Sequence, residues 1–389
     1  MKKITKLSLV AAVAVAGLTS ASAKPLEEAI KNVDVSGSVV YRYDNFGNDK
    51  QGEKQNTNKY KIGLNLSSKV NDYVKFNSRA IIGGENNDMV GLNKAEKPNG
   101  DSDANPDLVI SQAYFGLSAI PNTTVNIGKQ ALATPWTVAQ DINGGEQTGT
   151  GILAITAIDN YVAGAGYFNQ TSLDKLTDGL AGIVDGSKDI YVATLQANFD
   201  YINVQGWYLN AVDQFDTYTF VVDGKVQLAE KARLGYEARY VSLDADDLNL
   251  SDKNSLLRVA VDGKFDIVNA RIAYTKTDKK GGLTALDADA KNASLGWRLN
   301  TVNKADAKYY QLALGADILD NLNFTAHYGN LEYNNGTKVK QNEIYGQLTY
   351  KMSKNLSTYV RYGQVELDKD NKSTVGKENS GRIQVAYTF

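Results

Sequence analysis

The sequence has 389 residues, with 42 Lys and Arg against 44 Asp and Glu, so the formal net charge is −2. It contains no Cys and one His, which excludes disulfide-stapled scaffolds, thiolate or histidine-rich metal sites and a cysteine nucleophile. No basic stretch with interleaved aromatic residues occurs, so nucleic-acid binding is not predicted.

The first 23 residues have the pattern of an export signal. Three lysines precede an apolar segment at residues 7–17, and a small-residue motif ends at Ala23. We therefore predict cleavage between Ala23 and Lys24, so that 1–23 is a removed signal peptide and 24–389 is a single domain. The apolar segment is too short to cross a hydrocarbon core of ~30 Å. No longer apolar run follows, so the exported chain is periplasmic, secreted or a β-barrel.

Beyond the signal, the chain reads as segments of about ten residues in which apolar and polar side chains alternate. In the last segment, 381–389, Ile383, Tyr387 and Phe389 share one face, whereas Arg382 and Gln384 lie on the other. Strands with one face against lipid and the other against water show this period of two. The five prolines lie before the first strand or in connections, never inside a strand, where one would remove a ladder hydrogen bond.

Short and long connections alternate along the chain. The short turns are at 71–72, 119–122, 159–160, 200–201, 228–231, 266–267, 319–321 and 353–355. The longer loops are at 47–57, 85–106, 131–150, 171–187, 213–216, 244–253, 278–306, 334–340 and 368–379. These connections predict an all-β fold, an 18-stranded antiparallel transmembrane β-barrel with short periplasmic turns and long extracellular loops. We assign 292–299 to the seventh loop, because a further strand there would make the count odd.

A soluble β-sandwich is the alternative fold, since its strands also alternate. Its outer faces would normally carry some Lys or Glu. Here the charged strand residues gather on the polar face in nearly every segment, and the opposite face carries Tyr, Leu, Val, Ile and Gly. Because a charge facing lipid costs ~2–4 kcal/mol at mid-membrane, this segregation favours the barrel. Its apolar face is then expected to contact outer-membrane lipid and lipopolysaccharide.

The two ends of the exported chain and the start of its third loop resemble the Campylobacter-type major outer membrane porins. The resemblance is carried by PLEEAIKNVDVSG at 25–37, YRY at 41–43, GKQALATPW at 128–136 and YTF at 387–389. It implies a homotrimer of 18-stranded barrels in the outer membrane of a Gram-negative bacterium, with the third loop, 131–150, folded into the lumen. It also implies that Tyr387 and Phe389 belong to the terminal signal that the barrel-assembly machinery recognises.

The predicted inner wall is rich in basic residues. Closing the barrel places five of them on five neighbouring strands, at similar distances from the short turns: Arg42, Lys61, Arg79, Arg361 and Arg382. Further lumen arginines on other strands are Arg239, Arg258 and Arg271. A basic wall at one depth can shape the field across a water-filled pore.

The opposing charges are expected from Asp141 and Glu146 in the third loop, whose glycines permit tight folding. Two acids facing five bases would give a transverse field at a pore constriction. The alternative is that the lumen arginines only satisfy water and neighbouring carboxylates.

These features predict a porin for passive diffusion of ions and small hydrophilic solutes, without catalytic residues, since the lone His327 has no nucleophile motif near it. A substrate-specific channel, and a surface adhesin that uses loops 85–106 and 278–306, remain alternatives. No cofactor or metal site is predicted. A structural divalent cation such as Ca²⁺ could find oxygen ligands around Asp244, Asp246, Asp247 and Asp252, but the EF-hand spacing is missing.

Overall fold

The computed structural model describes residues 33–48, 54–84, 86–92, 106–175, 183–248, 250, 254–369 and 376–389. The predicted signal peptide and its cleavage position between Ala23 and Lys24 lie outside this part of the chain. Within it, no helix is long and apolar enough to cross a membrane.

Eighteen long strands form the wall of the molecule. They are β1 Val33–Asn48, β2 Lys54–Asn71, β3 Val74–Gly83, β4 Asp107–Leu117, β5 Thr123–Ala131, β6 Thr148–Ile158, β7 Tyr161–Thr171, β8 Ile190–Asn198, β9 Asn203–Ala211, β10 Phe215–Ala229, β11 Ala232–Asp244, β12 Asn254–Phe265, β13 Val268–Thr277, β14 Lys308–Leu319, β15 Leu322–Asn334, β16 Lys338–Lys351, β17 Leu356–Lys369 and β18 Gly376–Thr388. Neighbours in sequence pair antiparallel, and β18 pairs with β1 to close a barrel. The predicted 18-stranded antiparallel barrel is confirmed. A two-residue strand, Val90–Gly91, adds to β2.

The eight predicted short turns join strands where the sequence indicates. Several place an Asp or Asn at positive φ, as at Asn122, Asp159 and Asp266, with φ of 59°, 49° and 51°. These side chains tolerate the left-handed conformation better than most, so such residues fix the hairpin positions. The first loop is shorter than the predicted 47–57, because β1 and β2 extend into it.

Apolar side chains cover the outer face of the barrel. In β8, Tyr191 and Leu195 are 47% and 72% exposed, whereas Ile190 and Val192 point inward and are buried. Phe265, far around the wall, is also largely exposed. Because a soluble sandwich would bury such residues in a core, the exposed apolar band is the face that meets lipid.

Among the described connections, two pack against each other inside the barrel. We name them L3, residues 132–147 between β5 and β6, and L7, residues 278–307 between β13 and β14. Trp136 of L3 and Leu286 of L7 are fully buried in an apolar cluster with wall residues such as Leu209. The inward position of the third loop is therefore confirmed.

The segment 278–306 is the seventh loop, as predicted, but its central part folds into the barrel instead of extending outward. Most side chains of its central part are buried, among them Thr284, Ala285 and Leu286, each 0% exposed. The segment 292–299 is not a strand, and only an isolated bridge joins Leu295 to Asn300. Because L7 carries apolar residues that need burial, it packs on Trp136 instead of extending into water. The buried central part of L7 is therefore withdrawn from the surface on which an adhesive loop would act.

Candidate pore constriction

L3 is pinned to the barrel wall by two basic side chains from β2 and β3. The Lys61 ammonium donates to the carbonyl oxygens of Asp141 and Gly144, at 2.5 and 3.1 Å. The Arg79 guanidinium holds the Glu146 carboxylate in a bidentate ion pair, with Nη2–Oε1 at 2.6 Å and Nε–Oε2 at 2.9 Å. The two side chains are only 7% and 0% exposed. L3 is thus fixed by a buried, charge-assisted contact.

The local sequence of L3 favours a compact inward turn. Thr137 donates its hydroxyl to the Leu132 carbonyl, and its oxygen accepts the amide of Thr134, closing the loop on itself. At Gly145 a Cβ would collide with the carbonyl oxygen of Asn86, so this close approach requires glycine. At least one of the glycines that the sequence places in the third loop is therefore needed for close packing against a neighbouring segment.

L3 and L7 pack against each other inside the barrel. The amides of Leu286 and Asn292 donate to the carbonyl oxygens of Trp136 and Pro135, both at 2.9 Å. The Gln147 side-chain amide also donates to Asp287 Oδ2 at 2.9 Å. The two loops therefore form one inner layer that narrows the lumen.

Arginines from another part of the wall hold L7. Arg239 Nη1 donates to Asn292 Oδ1 at 2.9 Å. Arg258 donates to the carbonyl oxygens of Ala293 and Lys291, at 2.8 and 2.9 Å. Both arginines also pair with Glu237, at 3.4 and 2.7 Å. These residues, predicted as lumen bases, lie on the inner wall, where they anchor a loop.

Arg271, the third of those lumen arginines, has a different environment. It pairs with Asp262 on the neighbouring strand, and both side chains are close to half exposed. The charge of Arg271 is therefore balanced locally. Among the described residues, no hydrogen bond or ion pair joins Arg271 or Asp262 to L3 or L7. Arg271 is therefore a lumen charge that lies outside the contacts holding the two loops.

A buried carboxylate that sequence reasoning missed anchors the far part of L7. Glu343 on β16 is 3% exposed and accepts the amides of Trp297 and Arg298, at 3.2 and 2.8 Å. It also accepts the Tyr309 hydroxyl at 3.1 Å. The alternating pattern of this strand places Glu343 on the inner face. This inward charge was the feature of the sequence that could have identified Glu343 as a functional residue.

The remaining predicted bases lie together where the barrel closes, on β17, β18 and β1. Arg361 and Arg382 are direct cross-strand partners, and Asp44 is the next partner of Arg382. Arg382 forms a bidentate ion pair with Asp44, with Nε–Oδ1 at 2.5 Å and Nη2–Oδ2 at 3.2 Å. Arg42 lies two residues from Asp44 on the same face of β1. We call Arg42, Arg361 and Arg382 the arginine row.

Aromatic rings from L7 and the wall surround this row. The Arg361 guanidinium carbon lies 5.1 to 5.2 Å from the ring centroids of Trp297, Tyr345 and Tyr359. His327 stacks on Tyr345 at 4.4 Å, with rings nearly parallel. His327 is thus a packed ring in the lumen wall.

The five predicted bases lie on adjacent strands, from β17 through β18 and β1 to β3. The two acids of L3, however, do not both face these bases across an open pore, as was expected. Glu146 does not face the wall across an open gap, because it is in direct contact with Arg79. A carboxylate buried this deeply needs a partner, and the nearest arginine supplies it. Asp141 points instead towards L7.

Asp141 forms a group of three carboxylates with Asp287 and Asp289 of L7, whose nearest oxygens lie within 4.8 Å of one another. Burial raises the pKa of Asp141 to about 7, and the charge of Asp287 adds to this shift. Carboxylate oxygens at this spacing are ligands of the kind that hard cations such as Ca²⁺ prefer. Of the cation ligands considered from sequence, Asp252 lies outside the described residues.

A closed barrel with an apolar outer face, a polar inner wall and two loops narrowing its interior is an outer-membrane channel. The family model described as the Campylobacter major outer membrane protein matches residues 1–389, and the chain belongs to this family of outer-membrane porins. No curated protein sequence matches the chain.

Solved structures with the same fold come from other bacteria. Pseudomonas aeruginosa OccK9 (OpdG) has a TM-score of 0.73 at 15% identity, covering 93% of this chain and 99% of that one. Pseudomonas aeruginosa OpdK, solved with vanillate, has a TM-score of 0.72 at 14% identity, covering 92% and 98%. Acinetobacter baumannii OccAB4 has a TM-score of 0.71 at 14% identity, covering 92% and 98%. At these identities the similarity concerns the fold.

Proposed function

We propose that the protein is a passive diffusion channel for ions and small hydrophilic solutes, with its constriction between the L3–L7 layer and the arginine row. The observation that carries this proposal is that both loops are held inside the barrel by buried wall side chains, Arg79 and Glu343 above all. Loops fixed in this way set an upper size for solutes without a moving gate. No catalytic activity is proposed.

Charge adds a second criterion to size. The arginine row carries three positive charges against the one negative charge of Asp44, whereas the L3–L7 layer contributes Asp141, Asp287 and Asp289. Charges that border a narrow, partly desolvated passage act on permeating ions far more strongly than charges in bulk water. Planar-bilayer recording tests the channel itself, and the absence of discrete conductance steps would contradict the proposal.

Neutralising Arg42 and Arg382 together is expected to shift ion selectivity towards cations. Losing Arg382 also leaves Asp44 without its partner, so the local charge changes at two positions. One unit charge a few Å from the ion path in water is worth about 1 kcal/mol, so we expect the cation-to-anion permeability ratio to rise about twofold to fivefold. Reversal potentials in a KCl gradient measure this ratio.

The control is Arg271→Gln, which removes one lumen charge outside the arginine row. It should change the permeability ratio by much less, although it leaves Asp262 unpaired. Unchanged selectivity in the Arg42→Gln/Arg382→Gln variant would show that the row does not border the ion path.

A substrate-specific channel is the second candidate. It is favoured by the fold shared with the Occ and Opd channels and by the rings of Trp297, Tyr345 and Tyr359 around Arg361. Saturable block of the ion current by one solute would support this candidate over general diffusion.

We also propose that the barrels assemble as a homotrimer in contact with lipopolysaccharide, on the basis of the resemblance and the apolar outer band. A trimer should survive mild detergent as a species three times the monomer mass and dissociate on heating in a denaturing gel. A monomer at all temperatures and in native mass spectrometry would contradict it. Tyr387 and Phe389, stacked at 5.8 Å and exposed on the outer face, are proposed as the signal for the barrel-assembly machinery.

A further inference from the structure

Each member of the arginine row is held by its direct cross-strand neighbour through the same atom. Arg361 Nε donates to Gln347 Oε1 at 2.8 Å, and Arg42 Nε donates to Gln384 Oε1 at 2.9 Å. Arg382 Nε donates to Asp44 in the same way. The Nε atoms of three neighbouring guanidinium groups are therefore fixed to the barrel wall.

This contact through Nε leaves the Nη atoms of Arg42 and Arg361 able to donate hydrogen bonds to another group. Among the described residues, no acceptor lies within hydrogen-bond distance of the Nη atoms of Arg42 or Arg361. Arg42 is only 5% exposed and Arg361 is half-buried, but the Nη atoms of both keep some accessible surface on the lumen side of the wall. Lys59, the cross-strand partner of Arg42, adds another positive charge on this face. The row thus has unused donors and an excess of positive charge.

Rings hold the Arg361 fork in place without using its donors. Trp297, Tyr345 and Tyr359 lie around the guanidinium group at cation–π distance. Tyr359 also donates its hydroxyl to Gln384 Oε1 at 3.1 Å, the same oxygen that holds Arg42. Cation–π contacts and an occupied Nε leave the Nη atoms of the guanidinium group able to donate hydrogen bonds. Because the geometry exists before a solute arrives, little rotamer entropy is lost on binding.

We propose that the arginine row is a binding subsite for the carboxylate group of small organic anions in transit through the lumen. Carboxylate is favoured because its two oxygens match the planar fork of arginine, as the bidentate Arg382–Asp44 pair already demonstrates within the row. Arg361 and Arg42 offer comparable donors one strand to either side of Arg382. The inference rests on the proposed diffusion function and names a solute class for it.

The experiment records ion currents through the reconstituted full-length protein with benzoate as the probe and neutral benzamide as its isostere. Benzoate should produce saturable current block, whereas benzamide at equal concentration should not. The Arg42→Gln/Arg361→Gln variant should weaken the benzoate block about tenfold, the loss expected for one charge-assisted contact. Arg271→Gln, which removes one lumen charge elsewhere, should leave the block unchanged.

The outcomes separate this inference from the diffusion function. If wild-type protein conducts KCl in discrete steps but benzoate blocks no better than benzamide, the carboxylate subsite is refuted and the channel stands. Equal loss of block in Arg271→Gln would also refute it, because general lumen charge would then explain the effect. Absence of any conductance would refute the diffusion function itself. Heat-modifiable gel mobility confirms that each variant forms a folded barrel before recording.

Discussion

Replacing Glu146 by Gln is expected to destabilise L3 by about 3 kcal/mol or more. The substitution keeps the shape of the side chain but leaves the buried Arg79 guanidinium without its counter-charge, and removing one partner of a buried pair costs about 3–5 kcal/mol. Urea unfolding in detergent measures the free energy of unfolding. Single-channel recording should show larger current noise, because L3 then samples positions away from the wall.

Glu366→Gln is a matched control, since Glu366 and Lys377 form an exposed ion pair at 3.8 Å. Such surface pairs contribute about 0–1 kcal/mol. The double variant Arg79→Gln/Glu146→Gln should recover part of the stability lost by Glu146→Gln alone, because no unpaired charge remains. If Glu146→Gln and Glu366→Gln had equal effects on unfolding, the pair would not be the anchor of L3.

Replacing Trp136 by Ala is expected to loosen both inner loops at once. Trp136 is 0% exposed and lies in the apolar cluster that joins L3, L7 and the wall. Truncation of a buried Trp costs about 3–5 kcal/mol, because it removes apolar burial and leaves a cavity. We expect a lower free energy of unfolding together with a higher single-channel conductance, since the L3–L7 layer no longer holds its position.

Trp207→Ala separates this effect from the general loss of an indole ring. Trp207 belongs to β9, is partly buried and packs against the edge of the same cluster. Its truncation should lower stability less and leave conductance close to that of the unaltered protein. A Trp136→Ala variant with unchanged conductance would mean that the loops do not narrow the passage.

The strand wall could be predicted from sequence because it follows two local rules. A two-residue period sorts side chains between lipid and lumen, and Asp or Asn at positive φ marks tight turns such as those at Asp159 and Asp266. Both rules act within a few residues. They located the eight short turns and the strand count without knowledge of any distant contact.

The inner layer could not be predicted in the same way, because its position depends on contacts between distant segments. The sequence of L7 mixes polar residues with scattered apolar ones and has no strand period. The burial of Leu283 and Leu286 depends on Trp136, which is distant in sequence. The strand pattern shows that Glu343 points inward. It does not show whether the carboxylate meets water or holds a loop. Its partners, the amides of Trp297 and Arg298, are unremarkable in sequence.

For the basic residues, too, local sequence patterns predicted the strand face but not the contact partner. Strand register predicted which arginines share the inner wall, and barrel closure predicted that β17, β18 and β1 are neighbours. Sequence alone did not indicate that Arg79 is neutralised by Glu146, whereas the Nη atoms of Arg42 and Arg361 have no hydrogen-bond acceptor among the described residues. Partner choice among several nearby acids and amides is decided by loop position, which the strand pattern does not encode.

The seam between β1 and β18 has a consequence for the order of folding. Phe389 and Gly37 exchange backbone hydrogen bonds at 2.9 and 3.1 Å, and the Arg42–Gln384 contact spans 342 positions. Contacts of such high sequence separation form late, and until then both terminal strands present unpaired edges open to intermolecular pairing. The arginine row straddles this seam. A chain lacking its last strand would therefore lose its closure and the arginine row together, so the row can exist only in a fully assembled barrel.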